Sequence, residues 1–598
     1  MKAFTEPLLS LAGFEEMTKT AEKSSGLISV TGCIDAQKSQ MIYAFGGHRK
    51  NKLIVTFGEQ KAKELYDEYS FFDKEVVYYP SKDVLFYQSD IRGNLLTAER
   101  IRALKAIREQ ERVTLVTTFD ALMNTMAPIE KMWENVLTLE QGQLLDLKEI
   151  QAALIRMGYE KEYQVQTMGQ FSVRGGILDV FPLTEENPIR IELWGDEIDT
   201  IRYFDCESQK SIENTDWVSI YPAAELVLSD EEKAGGIEKL KAEAKRVSDK
   251  LRKQMKTEEA HRVSEMADEL TEEWGELSMY AGMDAFLSYF FDERVGILDY
   301  FNPSDSLIFF DELTRCVEQG KLTETEFSES MKQRLAMGYI LPGQMNGLFT
   351  EKEIVAKLGK YSCIALGALD NKANGLHQLG SYGIHCQSVS PYNNSFELLI
   401  KDLKRYKKNG YRVILLSGSR TRAKRLSEDI TDQGITCFYT ENYDHELFEG
   451  QIMVCYGKVR RGFEYPILKF AVITESDIFG AQQKKKKRHR TYEGEKIQSF
   501  TDLSVGDYVV HENHGLGIYR GIEKLEVDKK VKDYIKIEYQ GGSNLYILAT
   551  QLDMIQKYAG KDARKPKLNK LGGQEWTRTK NRVRGAVKQI AGDLVKLY

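Results

Sequence analysis

Apolar and polar positions near the start of the chain alternate between two patterns. Residues 53–57 are a short apolar run that fits a buried strand, and 59–69 continue as a helix. Residues 76–79 end at Pro80 as the next strand, Ala98, Ile101, Leu104 and Ile107 recur at helical spacing, and 113–117 make a further strand. Strand, helix, strand, helix, strand predicts a parallel sheet with crossover helices.

The pattern changes near Leu144. A helix over 146–157 is followed by closely spaced strands at 163–167, 177–181, 189–194 and 198–204. This is an α+β insert with an antiparallel sheet. Residues 231–276 are charged and helical, and the apolar strand 307–310 then resumes the α/β pattern. A chain that leaves one α/β unit and re-enters it has this layout. From Tyr361 a further α/β stretch carries strands at 413–416 and 470–473. Between 507 and 558 short strands are separated by Gly515, Gly517, Gly521, Gly541 and Gly542, which predicts a small β-barrel. The expected fold class is multidomain α/β. It divides into an α/β unit in two parts (1–143 and 226–345), an α+β insert (144–225), a third α/β domain (346–480), a basic linker (481–498), a barrel (499–560) and a helical C-terminal stub (561–598). The stub holds eleven Lys/Arg against three acids, with Ala586, Ile590, Leu594 and Leu597 as a helical stripe. The chain stops inside that stripe without a Gly, Asn or Pro stop signal, so a C-terminal part is expected to be missing.

The length of 598 residues fits about four domains. With 42% hydrophobic and 29% charged residues the composition is that of a folded, soluble protein. Seven scattered cysteines, odd in number and never spaced CxxC, argue against a disulfide framework and a zinc site, and for a reducing, cytoplasmic setting. No apolar run approaches the roughly 20 residues of a spanning helix. A net charge of −7 excludes a uniformly basic nucleic-acid coat but leaves local basic patches. The run Lys484-Lys485-Lys486-Lys487-Arg488-His489-Arg490 reads as a solvated linker, with a DNA-backbone contact as the sharper alternative.

Few motifs carry chemistry. Gly32-Cys33-Ile34-Asp35-Ala36-Gln37-Lys38-Ser39 matches a phosphate-binding loop, GxxxxGK[ST], except that Gln37 stands where the second glycine belongs. That glycine lets backbone amides close around phosphates, and Asp35 adds negative charge where a phosphate would sit. Asp311 and Glu312, at the end of the 307–310 strand, resemble the acid pair that holds magnesium in such ATPases. The pair reads as a decayed nucleotide site, predicted inactive; a working site is the alternative. His511 and His514 are three apart, not four as a zinc-protease helix needs, and read as a turn between strands. No complete catalytic site and no metal site is expected.

Two longer segments are more specific. Val173-Arg174-Gly175-Gly176-Ile177-Leu178-Asp179-Val180-Phe181-Pro182, followed by Ile189-Arg190-Ile191-Glu192-Leu193-Trp194-Gly195-Asp196-Glu197-Ile198-Asp199, resembles the docking module shared by the excision-repair protein UvrB and bacterial transcription-repair coupling factors. Gly506-Asp507-Tyr508-Val509-Val510-His511-Glu512-Asn513-His514-Gly515-Leu516-Gly517-Ile518-Tyr519 resembles the RNA-polymerase-interacting module of coupling factors and of CarD-like, Tudor-like regulators. Leu571-Gly572-Gly573-Gln574-Glu575-Trp576 resembles the entry to the coupling factors' translocase motor. Only the coupling factors carry both modules in this order, and the likeness covers essentially the whole chain.

The resemblance implies a function in transcription-coupled nucleotide excision repair. The barrel would dock on the β subunit of a stalled RNA polymerase, and the insert would recruit UvrA. A motor beyond Tyr598, using ATP and Mg on double-stranded DNA, would displace the polymerase. No cofactor is expected within this chain, and a monomer is expected. For UvrA the resemblance points to Arg174, Arg190 and Trp194, with Trp194 where Phe is commoner. Arginine forks pair with carboxylates, Trp is a common anchor, and residues 190 and 194 share one face of a strand. The plain alternative is a core Trp194 and solvated arginines. For the polymerase it points to Leu525 with Ile522, Lys524 and Glu526, on an edge strand open to pairing. The alternative there is that Leu525 is ordinary barrel core. Two other functions stay open: an ATP-using UvrB-like repair enzyme relying on Lys38, Ser39 and Asp311, and a CarD-like transcription regulator in which only the barrel acts.

Overall fold

The computed structural model describes residues 1–45, 50–82, 94–206, 208–276, 283–370, 373–480, 495–496, 503–511, 515–527, 530–540, 543–548, 555–558 and 568–569. The basic run at 484–490, residues 512–514 and the segment 570–598 lie outside them.

The expected parallel sheet is present and has seven strands. Across it the order is Gln378–Gly383, Gly26–Thr31, Ser362–Leu366, Ser306–Asp311, Asn51–Thr56, Val113–Thr118, Val76–Tyr79. Every pairing is parallel. The inner strands Val113–Thr118, Ser306–Asp311 and Ser362–Leu366 are buried at every position, as expected where helices cover both faces. The sheet corrects one expected boundary. Strands Ser362–Leu366 and Gln378–Gly383 belong to it, so the first unit does not end at 345. The next sheet begins with Gln387–Ser388 and takes Arg412–Ser417, Phe438–Tyr439, Ile452–Tyr456, Phe463–Tyr465 and Phe470–Thr474.

These two α/β units share one core. Ile28, Ile54, Val116 and Phe309 of the first cluster with Ile414, Met453, Phe463 and Val472 of the second. The Tyr465 hydroxyl crosses the joint to Gln37 Oε1 (3.1 Å) and Gln40 Oε1 (3.2 Å). Nearby, the Arg460 N–H donates to buried Glu68 at 3.2 Å.

The insert is entered and left through a two-stranded ribbon, Leu137–Glu140 against Trp217–Ile220. Its helix runs Leu147–Arg156, with the Asp146 carboxylate capping the Lys148 and Glu149 amides. The sheet order is Ser211–Thr215, Glu197–Phe204, Ile189–Trp194, Ile177–Val180, Gln170–Arg174, Glu160–Lys161. Its pairings are antiparallel except the last. The strand expected at 163–167 does not form. The Gln170 side chain accepts from the Gln166 and Thr167 amides and turns the chain there. Glu225, at the C-terminal end of the insert, ties it to the first unit: buried Arg100 donates Nε to Glu225 Oε1 at 2.7 Å and Nη1 to Pro80 O at 2.6 Å.

The charged segment forms two packed helices, Asp230–Lys253 and Thr257–Glu276. Near the C-terminus the strands order as Glu495–Lys496, Ile555–Lys557, Tyr508–His511, Gly515–Val527, Lys530–Glu538, Asn544–Leu548. The expected barrel closure is not seen: among the described residues the two outermost strands do not pair. No helix among the described residues is long and apolar enough to cross a membrane.

Candidate functional site

In the insert, alternation along Ile189–Trp194 sends Ile189 and Ile191 into the core and Arg190, Glu192 and Trp194 to the outer face. Register brings Asp179 opposite Arg190, and Ser172 opposite Asp179. Arg174 lies one hairpin step away. Asp179 is 1% exposed and is the centre of the arrangement. Arg190 grips it with two bonds, Nε to Oδ1 at 2.7 Å and Nη2 to Oδ2 at 2.9 Å. Arg174 Nη2 adds a third at 2.8 Å. Gln209 Oε1 takes a further Arg190 N–H at 2.8 Å, and the guanidinium lies 4.3 Å from the Phe204 ring centroid. Hydrogen bonding by Asp179 pushes the Arg190 pKa above its ordinary value.

The structure thus brings Arg174, Arg190 and Trp194 onto one face and corrects the alternative reading. Trp194 is no core residue, being 83% exposed. The arginines are not loose in solvent: the Arg190 side chain is 12% exposed and that of Arg174 35%. Sequence reasoning missed Asp179 as their holder. The signal was an acid between Leu178 and Val180 on an alternating strand, where only the outer face has room for it.

In the C-terminal sheet, residues 522–527 pair with 530–535 on one side. The neighbour on the other side, Tyr508–His511, reaches only 515–518. Among the described residues the 522–527 stretch therefore has one open main-chain edge. Ile522 is half-buried against the local core of Val509, Tyr519 and Ile535, so it is less available as a contact than expected. Leu525, Lys524 and Glu526 are placed by register only, opposite Lys532, Asp533 and Val531.

The phosphate-loop remnant sits where the sequence placed it, after Gly26–Thr31, but the helix begins already at Asp35. Lys38, 1% exposed, meets Asp311 Oδ1 at 2.5 Å, Asp35 Oδ1 at 3.1 Å and Glu312 Oε1 at 3.1 Å. Burial pulls its pKa down, but Asp311 and the other carboxylates outweigh that and hold it above the ordinary lysine value. The Gly32 and Cys33 amides, which would face a phosphate, donate to Ala368 O and Gly367 O at 3.2 and 3.0 Å. Gly32 has φ +77° and lies against Ile384 O, which a Cβ would meet at 2.1 Å. Its backbone freedom serves a chain crossing. Ser39 is buried behind the helix start and Gln37 is held by Tyr465. These side chains do not fit a nucleoside triphosphate with Mg, because the lysine is neutralised and the amides are spent. Among the described residues no group of three His, Cys, Asp or Glu side chains is placed to hold a metal ion.

Comparison with known proteins adds two modules. Residues 137–226 match the UvrB interaction domain, and 503–559 match the CarD-like/TRCF RID domain. The transcription-repair-coupling factor of Bacillus subtilis (strain 168) is 32% identical over 549 residues, covering 91% of this chain and 46% of that protein. That of Staphylococcus haemolyticus (strain JCSC1435) is 31% identical over 583 residues, covering 96% of this chain and 48% of that protein. That of Staphylococcus aureus (strain USA300) is 30% identical over 600 residues, covering 98% and 49%. The chain spans about half the length of these relatives. With both modules in order and similarity running from end to end of its folded units, the chain belongs to the transcription-repair-coupling factor family.

Proposed function

We propose that this chain is a two-ended docking platform for transcription-coupled nucleotide excision repair, working as a monomer in the cytoplasm. The outer face of the insert sheet recruits UvrA through Arg174, Arg190 and Trp194. The open edge at 522–527, with Leu525 at its middle, pairs with the β subunit of a stalled RNA polymerase. The observation that carries this reading is the joint face: two arginines fixed by one buried carboxylate beside an exposed tryptophan. Prefixed arginine forks lose little freedom on meeting a partner, and an exposed Trp is a frequent binding anchor. Displacement of the polymerase by ATP-driven movement on double-stranded DNA is the activity proposed for the family's motor, to which only the sequence at 571–576 is assigned here. The reading that this chain itself uses ATP through Lys38, Ser39 and Asp311 finds no support in the packing around Lys38.

The test is co-purification of the chain with UvrA and, separately, with RNA polymerase, together with Mg-ATP turnover by the chain alone. Binding to both without turnover is expected. Binding to the polymerase alone would leave a CarD-like regulator, and robust turnover abolished by Lys38→Met would leave an ATPase.

A further inference from the structure

Beside the arginine face, the insert carries a feature of opposite sign. Trp194 and Trp217, 83% and 58% exposed, both line an open cleft of about 650 Å³. Its floor is the turn at Gln141 and Gly142. Main-chain bonds fix this floor: Gln141 N–H to Asp216 O and Gly142 N–H to Ile198 O, both 2.8 Å. The Gln141 side chain adds Nε2 to Asp199 O at 2.7 Å. The walls are set by register, with Trp217 opposite Glu140 and Trp194 opposite Glu197. The cleft is therefore pre-shaped by three pinned segments.

Its rim is acidic. Glu140, Glu197, Asp199 and Asp216 line the cleft. The segments 140–142, 194–199 and 213–217 hold no Lys or Arg. None of the four carboxylates has an ion-pair partner among the described residues. Three other carboxylates of the insert are matched: Asp179 holds Arg190 and Arg174, Glu192 holds Arg202, and Glu185 holds Lys105. Leu144, 75% exposed, bridges to Glu197 and extends the apolar area.

Two indoles held out in water beside unmatched carboxylates are costly for a lone domain and mark an interaction surface. A guanidinium fits them best among common protein groups. It is planar and weakly hydrated, stacks on indole, and forms paired bonds to carboxylate. Nucleic acid is repelled by the same rim. We propose that this cleft receives an arginine side chain of the protein that docks on the insert. For the identity of that protein the proposal rests on the reading above; for the chemistry of the occupant it does not. The docking surface would then give arginines at one end and take an arginine at the other, which fixes the direction in which the partner lies.

The test has two arms and uses the full chain. In the first, indole fluorescence is titrated with a Gly/Ser heptapeptide carrying two arginines, and with the same peptide carrying citrulline instead. A saturable change is expected with arginine only, weakened by salt and lost in Trp217→Ala. Equal responses, or no response, would overturn the proposal. In the second, UvrA binding is measured for Trp217→Ala and for Glu140→Gln combined with Asp216→Asn. The double variant leaves the floor intact, since its bonds run through main-chain oxygen and the Gln141 side chain. Each is expected to bind about tenfold more weakly, with polymerase binding unchanged. Unchanged affinity would overturn the assignment of the arginine to UvrA. If the unsubstituted chain fails to bind UvrA, the docking reading falls, and the peptide arm alone decides the cleft.

Discussion

Replacing Lys38 by methionine separates a structural cation from a phosphate ligand. Methionine is apolar and close in length, so packing changes little. The change removes the cation facing Asp311, which is 2% exposed, and leaves that carboxylate with the Thr56 hydroxyl at 3.0 Å. Removing one member of a buried ion pair costs about 3–5 kcal/mol, because the other charge stays buried and unmatched. Asp35 and Glu312 are 68% and 23% exposed, so solvent screens them and they add little. The expected loss is about 3 kcal/mol. Lys38→Met with Asp311→Asn removes both charges while keeping an acceptor for Thr56, and should restore at least half of it. In a multidomain chain a single unfolding free energy is ill-defined. Hydrogen exchange of the Asp35–Phe45 helix gives the local value instead. Calorimetry with Mg-ATP is expected to be silent for all three proteins. A loss under about 1 kcal/mol, no recovery in the double variant, or a Mg-ATP heat present before and absent after Lys38→Met would refute the reasoning.

Other outcomes follow from the same geometry. Arg190→Ala should weaken UvrA binding at least tenfold and leave polymerase binding unchanged, while Leu525→Arg does the reverse; equal damage to both by either variant in a folded chain would dismiss the site assignment. Burial pushes Glu225 up, but Arg100 and Lys82 outweigh it and hold it at about 2, against an ordinary 4.5. Its contribution, about 3 kcal/mol, is present above pH 4.5 and lost as pH falls toward 2, so Glu225→Gln should lower stability at pH 7 and flatten the acid branch of the stability profile. Glu68 is shifted the other way, raised by burial to about 7 despite the Arg460 N–H. Its ionisation in the joint between the α/β units costs stability as pH rises from 4.5 through 7, so Glu68→Gln should stabilise the chain at pH 8 and not at pH 5, read from paired urea titrations.

Local periodicity made several elements legible to the residue. Glu59–Tyr69, Val76–Tyr79 and Ile189–Trp194 form where the sequence predicts them, since each has an unbroken helical or strand pattern and a clear stop. What pairing decides was not legible. Ser362–Leu366 reads as the start of a new domain, yet it lies between Gly26–Thr31 and Ser306–Asp311, because strand order depends on contacts between distant segments. Gln378–Gly383 is a polar edge strand without an apolar signature. At 163–167 only Val165 is buried, and Tyr163 is 83% exposed, so the alternation does not build a continuous buried face. Of the site, Arg174, Arg190 and Trp194 were readable from a motif, whereas Asp179 and Trp217 acquire their roles only through register across strands. The decayed phosphate loop was legible at Gln37, but the three carboxylates on Lys38 come from two segments some 270 positions apart, which no local pattern reveals.

The Tyr465 hydroxyl on Gln37 has an implication for any attempt to revive the loop. Restoring glycine at that position would not recreate a phosphate cradle. It would pull one mortise out from under a tenon, leaving the buried phenol with Gln40 as its remaining partner across the seam and loosening the joint between two halves of the scaffold. The residue that departs from the loop motif acts here as carpentry, so a return to glycine runs uphill, like a ratchet whose pawl is a tyrosine.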